Sequence, residues 1–245
     1  MGRLVILSGP SCVGKTPMYN AFRKNFPDLA RTMKKHVLYN SRSPRPIERD
    51  GVDYHYRSRE HIEELRARDD FIVFEVRADI QALDISELTK ELKTSDIILD
   101  VSTLLVRAIL NDERLKNIDR LSIFISPLSK EEVLLMRREN SVAESRAIIT
   151  GIMKGKLLSR TKKQKGVLSP EDLTDIDRRA ASAYDEMKAA WLFDYVIPNH
   201  DGEDSENWQT SPSPVGDAWT TTQTFASILR GKETDHAEKW ESDWL

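Results

Sequence analysis

One cysteine, Cys12, stands among 245 residues, so no intramolecular disulfide is possible and a reducing compartment is the natural setting. No stretch approaches the roughly 18 consecutive apolar residues of a membrane span. The run Leu4 to Leu7 is shorter than the about 7–15 residues of a signal-peptide core. Met1-Gly2 opens like a myristoylation start, but Ile6 stands where Ser or Thr is wanted. A soluble, cytoplasmic protein with no membrane attachment is expected. Excess positive charge is missing too: the formal net charge of -3 excludes a molecule-wide basic surface for nucleic acid. What is present is an apolar fraction of 39%, enough to bury a core.

Short apolar runs alternate with helical patterns, which points to an α/β fold with a central parallel sheet. Leu4 to Leu7, Phe71 to Val76, Ile97 to Val101, Leu121 to Ile125 and Tyr195 to Ile197 read as strands. A helix is expected from about Lys15 to near Pro27, with Met18, Phe22 and Phe26 on one face. Ser58 is expected to cap a short charged helix through Arg68. Asp84 with Glu87, and Ser129 with Glu132, have the spacing of capping boxes. A long helix is expected over about Asp175 to Trp191, and a final amphipathic one over Gly216 to Leu229.

The first apolar run ends in Gly9-Pro10-Ser11-Cys12-Val13-Gly14-Lys15-Thr16, a full match to G-x-x-x-x-G-K-S/T between a strand and a helix. Glycines let backbone N–H groups turn inward around a phosphate, and the helix N-terminus adds its positive dipole end. Lys15 can reach the β- and γ-phosphates of ATP, and the Thr16 hydroxyl can ligate Mg²⁺. Pro17 is harmless in a first helical turn. Cys12 is expected to fill a tolerant loop position; a thiol beside Lys15 also has a reason to ionise more readily than usual.

Two further segments carry a resemblance. Asn40-Ser41-Arg42-Ser43-Pro44-Arg45-Pro46, followed by Asp50-Gly51-Val52-Asp53-Tyr54-His55-Tyr56, resembles the acceptor segment T-T-R-x-P-R-x-G-E-x-x-G-x-D-Y-x-F of guanylate kinases. Ile98-Leu99-Asp100-Val101, Ser122 to Pro127, Arg178-Arg179 through Glu186-Met187, and Phe193 to Asn199 are similar to later family segments. The likeness spans roughly Leu4 to Asn199. It implies a P-loop kinase with a small acceptor-binding subdomain and a lid, using ATP and Mg²⁺. The expected division is a domain over 1–199, with core 1–36, 95–138 and 175–199, acceptor subdomain 37–94 and lid 139–174, then an extension over 200–245. Two guanidinium forks at Arg42 and Arg45 suit a bidentate grip on phosphate, and Tyr54 can add a hydroxyl. The resemblance gives those three residues to the acceptor's phosphate, Asp100 to acceptor and metal, and Arg137, Arg138 and Arg178 to charge neutralisation beside Lys15.

The sequence departs from that family where guanine is read. The first family Ser is replaced by Leu38 and the second hydroxyl falls near Leu83. The Glu falls on Val73, or on Glu75 if the strand slips by two; Glu75 is taken as the candidate. Loss of these partners leaves acceptor identity open. GMP is the first expectation, a phosphorylated sugar or similar molecule the second, and a non-catalytic binding module the third.

The segment from Arg146 to Pro170 is basic and lacks Asp and Glu. It extends the lid role, binds a more anionic acceptor, or is a solvated helix face; with no interleaved aromatic residue, nucleic acid is not expected there. The tail beyond Gly231 is acidic, and is either mobile or docked through Trp240 and Trp244. Oligomeric state has no signal in the sequence.

Overall fold

The computed structural model describes residues 1–45 and 48–245; Pro46, the last residue of the first acceptor motif, lies outside them. In chain order come β1 (Leu4–Ser8), α1 (Lys15–Asn25), α2 (Pro27–Ala30), β2 (Met33–Lys35), β3 (Tyr39–Asn40) and β4 (His55–Tyr56). They are followed by α3 (Arg59–Glu64), β5 (Phe71–Val76), β6 (Asp79–Asp84), α4 (Ile85–Glu91), β7 (Asp96–Asp100) and α5 (Thr103–Asn111). The remainder is β8 (Arg120–Ser126), α6 (Lys130–Glu139), α7 (Val142–Lys165), α8 (Pro170–Ala181), α9 (Ala183–Lys188), β9 (Tyr195–Pro198) and α10 (Gly216–Leu229). A five-stranded sheet has the order β2-β7-β1-β8-β9, and its β2/β7 and β8/β9 pairs are parallel. This is the expected α/β architecture. None of the described helices is long and apolar enough to cross a membrane.

The chain forms two compact units. The first comprises Met1–Ile6 and Thr32–Leu121. It contains a second, four-stranded sheet in the order β4-β3-β6-β5, one face of which buries Phe71, Ile80 and Ala82 with Ile62 and Leu65 from the α3 region. Ser58 caps α3 by accepting from the His61 N–H, as its spacing predicts. Strand β6 is not legible in the sequence: its middle residues, Ile80 to Leu83, are all buried, so the alternation that marks a half-exposed strand is missing. Asp84 caps α4 by accepting from the Glu87 N–H at 2.8 Å.

The second unit comprises Leu7–Arg31 and Ser122–Leu245. Helix α1 follows the expected span and buries Met18, Ala21 and Phe22. Phe22 meets Phe225 of α10 edge-on at 5.1 Å, and Phe26 stacks on Trp219 at 5.9 Å. The C-terminal helix is therefore part of this unit's core. The expected long helix is two, α8 and α9; between them the Ser182 hydroxyl donates to the Arg179 carbonyl at 3.0 Å, a local bond that competes with helix continuation. The basic segment lies in α7, 24 residues long and opened by a reciprocal Ser141–Glu144 capping box. The tail is docked: Trp240 and Trp244 are buried, and Glu238 exchanges two backbone hydrogen bonds with Val196 of β9, both 2.8 Å.

Candidate active site

In the first unit, register decides which side chains share a face. Asn40 lies opposite Tyr56 on β4 and Gln81 on β6, and Gln81 lies opposite Phe74 on β5. Directly opposed residues point the same way, so Tyr56, Asn40, Gln81 and Phe74 form one row across the sheet. The arginine cluster belongs to this face. Tyr56 donates its hydroxyl to Glu48 at 2.7 Å, and Glu48 accepts both terminal nitrogens of Arg42 at 2.6 and 2.7 Å. The Arg42 guanidinium also lies over the rings of Tyr54 and Tyr56. The Arg45 side chain reaches Glu48 at 3.4 Å and is 40% exposed.

The D-G-x-D-Y motif is turn machinery. Asp53 accepts from the Arg49 N–H and Asp50 from the Tyr56 N–H. Gly51 has φ +73°, where a side chain is strained. This turn sets Tyr54 beside Arg42. Burial, then the nearby Asp100 charge, pushes the Tyr54 phenol up to about 12, so it is a neutral hydrogen-bond donor at pH 7.

Behind the polar row lies an apolar one. Leu83 is opposite Ile72, and Leu38 precedes Asn40 by two and so shares its face; Leu38 and Leu83 are buried. The sequence places the missing acidic position at Val73 or Glu75, and the structure corrects both. Val73 packs against the α3-side cluster. Glu75 lies opposite Ile80 of that cluster, exposed and paired with Arg59 at 3.2 Å. A slip of two residues preserves a strand's face, so neither alternative reaches the Asn40 face. The residue that does is Ile72. The sequence offers Gln81, with Asp79 and Asp84, as a substitute polar set without orienting it, and does not single out Asn40; only cross-strand register brings Asn40 and Gln81 together. The Asn40 amide nitrogen is buried without a partner among the described residues.

In the second unit, the loop Gly9, Pro10, Ser11, Cys12, Val13, Gly14, Lys15, Thr16 joins β1 to α1. A Cβ on Gly9 (φ +143°) would lie 2.4 Å from the Ile125 carbonyl oxygen. One on Gly14 (φ +102°) would lie 2.5 Å from the Asn199 amide nitrogen. The loop has space for glycine alone at those turns. The Lys15 ammonium donates to the carbonyls of Gly9 at 2.8 Å and Pro10 at 3.3 Å, curling over its own loop. Thr16 lies on the exposed first turn of α1, which contains no acidic residue; its dipole is left for an anion.

Cys12 fills its loop position as a buried residue, and only the eased ionisation is corrected. Its thiol is buried and donates to the Lys156 carbonyl at 3.4 Å. Burial, then the Glu203 charge, pushes it up to about 11, which keeps it an unreactive thiol.

Most of the basic residues of helix α7 have partners within this unit. Lys154 pairs with Asp177 at 2.6 Å and Arg146 with Asp185 at 2.7 Å. Arg160 pairs with Glu203 at 2.7 Å, both largely buried; Lys156 donates to the His200 carbonyl and Lys163 to that of Asp204. Burial opposes ionisation of Glu203, but the Arg160 charge and hydrogen bond, with Lys15 and Arg179 further off, hold its carboxyl below the usual range. Of the α8 arginines, Arg178 is exposed and bonded to Asp175 at 2.6 Å, whereas Arg179 is buried and its charge reaches Glu203. Arg137 and Arg138 occupy the last turn of α6, and Arg138 is exposed beside Glu139 at 3.7 Å.

A parallel sheet whose first strand enters a glycine-rich phosphate loop defines a P-loop nucleotide-binding α/β protein. The comparisons narrow this. A family model described as guanylate kinase matches residues 1–156. The guanylate kinase of Alkalilimnicola ehrlichii is 32% identical over 202 residues, covering 82% of this chain and 82% of that one. The guanylate kinase of Chlamydia abortus is 29% identical over 207 residues, covering 83% of each. A crystal structure of guanylate kinase from Anaplasma phagocytophilum covers 96% of this chain and 89% of its own with a TM-score of 0.56, at 20% identity, a likeness of fold. The chain belongs to the guanylate kinase family, a family of nucleoside monophosphate kinases.

Proposed function

We propose that this protein transfers the γ-phosphoryl group of ATP to a nucleoside monophosphate, GMP first, in the cytoplasm. One observation carries the reading: two separate anion-binding constructions, the Gly9–Thr16 loop and the Arg42–Arg45–Tyr54 cluster, each built from backbone geometry and cationic donors. A kinase for phosphorylated acceptors needs both. Residues 37–94 then receive the acceptor, residues 139–174 form the lid, and residues 200–245 extend the nucleotide-binding unit.

Lys15 and the loop N–H groups hold the β- and γ-phosphates, while Arg137, Arg138 and an α8 arginine neutralise charge on the moving group. The sequence offers Arg178 or Arg179 for this role, with Arg178 taken first; the burial of Arg179 makes it the stronger α8 candidate. Mg²⁺ fits the residue present at the end of the loop: the Thr16 hydroxyl would hold it. No cluster of three or more His, Cys, Asp or Glu suited to a metal occurs among the described residues; Mg²⁺ ordinarily keeps several water and phosphate ligands. When bound it supplies bridging positive charge to the phosphates. Catalysis is positioning and electrostatics, with no covalent enzyme intermediate.

The row Leu38, Leu83 and Ile72 favours a second reading, a phosphorylated acceptor without guanine. A non-catalytic module has little use for Lys15 and Thr16. A coupled ADP-release assay with GMP, dGMP, AMP, CMP, UMP and ribose phosphates, with Lys15→Ala as control, tests these readings. GMP turnover that depends on Lys15 supports the first, Lys15-dependent turnover of another acceptor the second. Activity that survives Lys15→Ala contradicts both.

A further inference from the structure

One residue of the phosphate loop holds a conformation that its own side chain resists. Cys12 has φ +71°, in the left-handed region that is unfavourable for an L-residue and that glycine enters freely. Among the described residues other than glycine, only Arg77 shares a positive φ. Such a conformation persists where the surroundings over-determine it. Two neighbours do so here. The Cys12 carbonyl accepts from the Glu203 N–H at 3.2 Å, and its thiol donates to the Lys156 carbonyl of α7 at 3.4 Å.

The segment that brings Glu203 there is itself fastened. Asp201 accepts from the Ser205 hydroxyl at 2.7 Å, the Asn207 amide at 3.0 Å and the Ala218 N–H of α10 at 2.8 Å. Trp208 Nε1 donates to the Gly202 carbonyl at 2.9 Å. A Cβ on Gly202 would lie 2.9 Å from Asp204 Oδ1 and 3.3 Å from the Lys156 side chain, so segment and helix meet without room between them. Across that contact Ser159 donates to the Asp204 carboxylate, Lys163 to the Asp204 carbonyl, and Arg160 Nη1 to Glu203 Oε2 at 2.7 Å. The Arg160–Glu203 pair is the buried one of these, with side chains 9% and 19% exposed. Loss of either partner strands a desolvated charge, so this tie fixes where the Glu203 backbone sits. Both residues lie beyond residues 1–156, which the family model matches, and Glu203 follows the last segment of likeness, which ends at Asn199.

We propose that Glu203 is a positioning residue for the donor nucleotide. Anchored by Arg160, it seats its N–H on the Cys12 carbonyl. With the Lys156 carbonyl on the thiol, this clasp holds the phosphate loop in its anion-binding conformation before ATP arrives. The inference rests on the reading that this loop takes ATP, and it adds what keeps the loop preorganised. The rival is a buried ion pair that supports the fold of this unit and does nothing particular for the loop. Cys12→Gly separates the two, because glycine takes φ +71° without a clasp.

The test is Glu203→Gln, which keeps shape and removes charge, alone and combined with Cys12→Gly. Direct titration with ATP is joined by amide hydrogen exchange over residues 9–16. Glu203→Gln is expected to weaken ATP binding about 5–30-fold, the strain of one left-handed L-residue, and to speed exchange in the loop. Adding Cys12→Gly is expected to return ATP binding to within about threefold of wild type, since the strain is gone, and to slow loop exchange again. Unchanged ATP affinity in Glu203→Gln overturns the proposal. A loss that Cys12→Gly does not restore overturns it in favour of the rival. If Glu203→Gln does not fold, Arg160→Lys, which keeps the charge and loses the fork, is measured against the same outcomes. Wild-type protein that binds ATP with this dependence on Glu203 but transfers no phosphate leaves the clasp standing and the kinase reading failed. Wild-type protein that binds no ATP overturns both.

Discussion

The phosphate loop and the acceptor-side sheet were built under different constraints. The loop is a contiguous stretch whose glycines face atoms a Cβ would strike, so its conformation and anion affinity are written in eight consecutive residues. The acceptor sheet holds its chemistry in cross-strand rows. There the row nearest the arginines is polar (Tyr56, Asn40, Gln81), and the next is aliphatic (Leu38, Leu83, Ile72). On the proposed function both regions handle phosphate, while the family's base-reading residues are replaced in one, and we infer that recognition of the acceptor is led by its phosphate.

Four experiments break or sharpen this contrast. The largest effect belongs to Lys15→Ala, expected to lower kcat about 10³-fold by removing charge at the transferred phosphate, measured by ADP release. Next, Glu203→Ala leaves Arg160 buried without its carboxylate and is expected to cost about 3–5 kcal/mol by denaturant unfolding, against a much smaller loss for the paired change Glu203→Leu with Arg160→Met. In third place, Ile72→Glu puts a carboxylate on the aliphatic row and should raise the preference for GMP over AMP about 10-fold or more. An unchanged ratio would mean that row does not face the base.

The smallest concerns His200, whose ring nitrogens face Glu132 at 2.8 Å and Asp217. Burial opposes its charge, but the two carboxylates outweigh it and raise its pKa above the ordinary value. Its stabilising contribution is then full below about pH 6.5 and is lost as pH rises through the raised value. The melting-temperature gap between wild type and His200→Gln should shrink from pH 6 to pH 9. A gap that widens would reverse the sign. The side chain is about half exposed, so the effect is modest.

What the sequence made legible was local. The loop, α1, β5 and the Ser129 capping box of α6 followed from contiguous patterns. The face of Glu75 did not, since it depends on β5 pairing Phe74 with Gln81 rather than on composition. Helix α7 hid its role because its partners, Asp177, Asp185 and Glu203, lie more than twenty residues further along the chain. The tail's seat on β9 was invisible because backbone pairing by Glu238 needs no particular side chain. Arg178 and Arg179 are neighbours in sequence, and only helix phase separates the exposed one from the buried one.

The most direct test of phosphate-led recognition is the ratio of kcat/KM for GMP to that for AMP, with ATP and Mg²⁺ saturating. A pocket that reads shape without hydrogen bonds to the base discriminates about 10–200-fold, whereas one built to pair with guanine reaches about 10⁴–10⁵. The aliphatic row predicts a ratio in the lower range. A ratio near 10⁴ would show that guanine finds polar partners on this face, and would contradict the account.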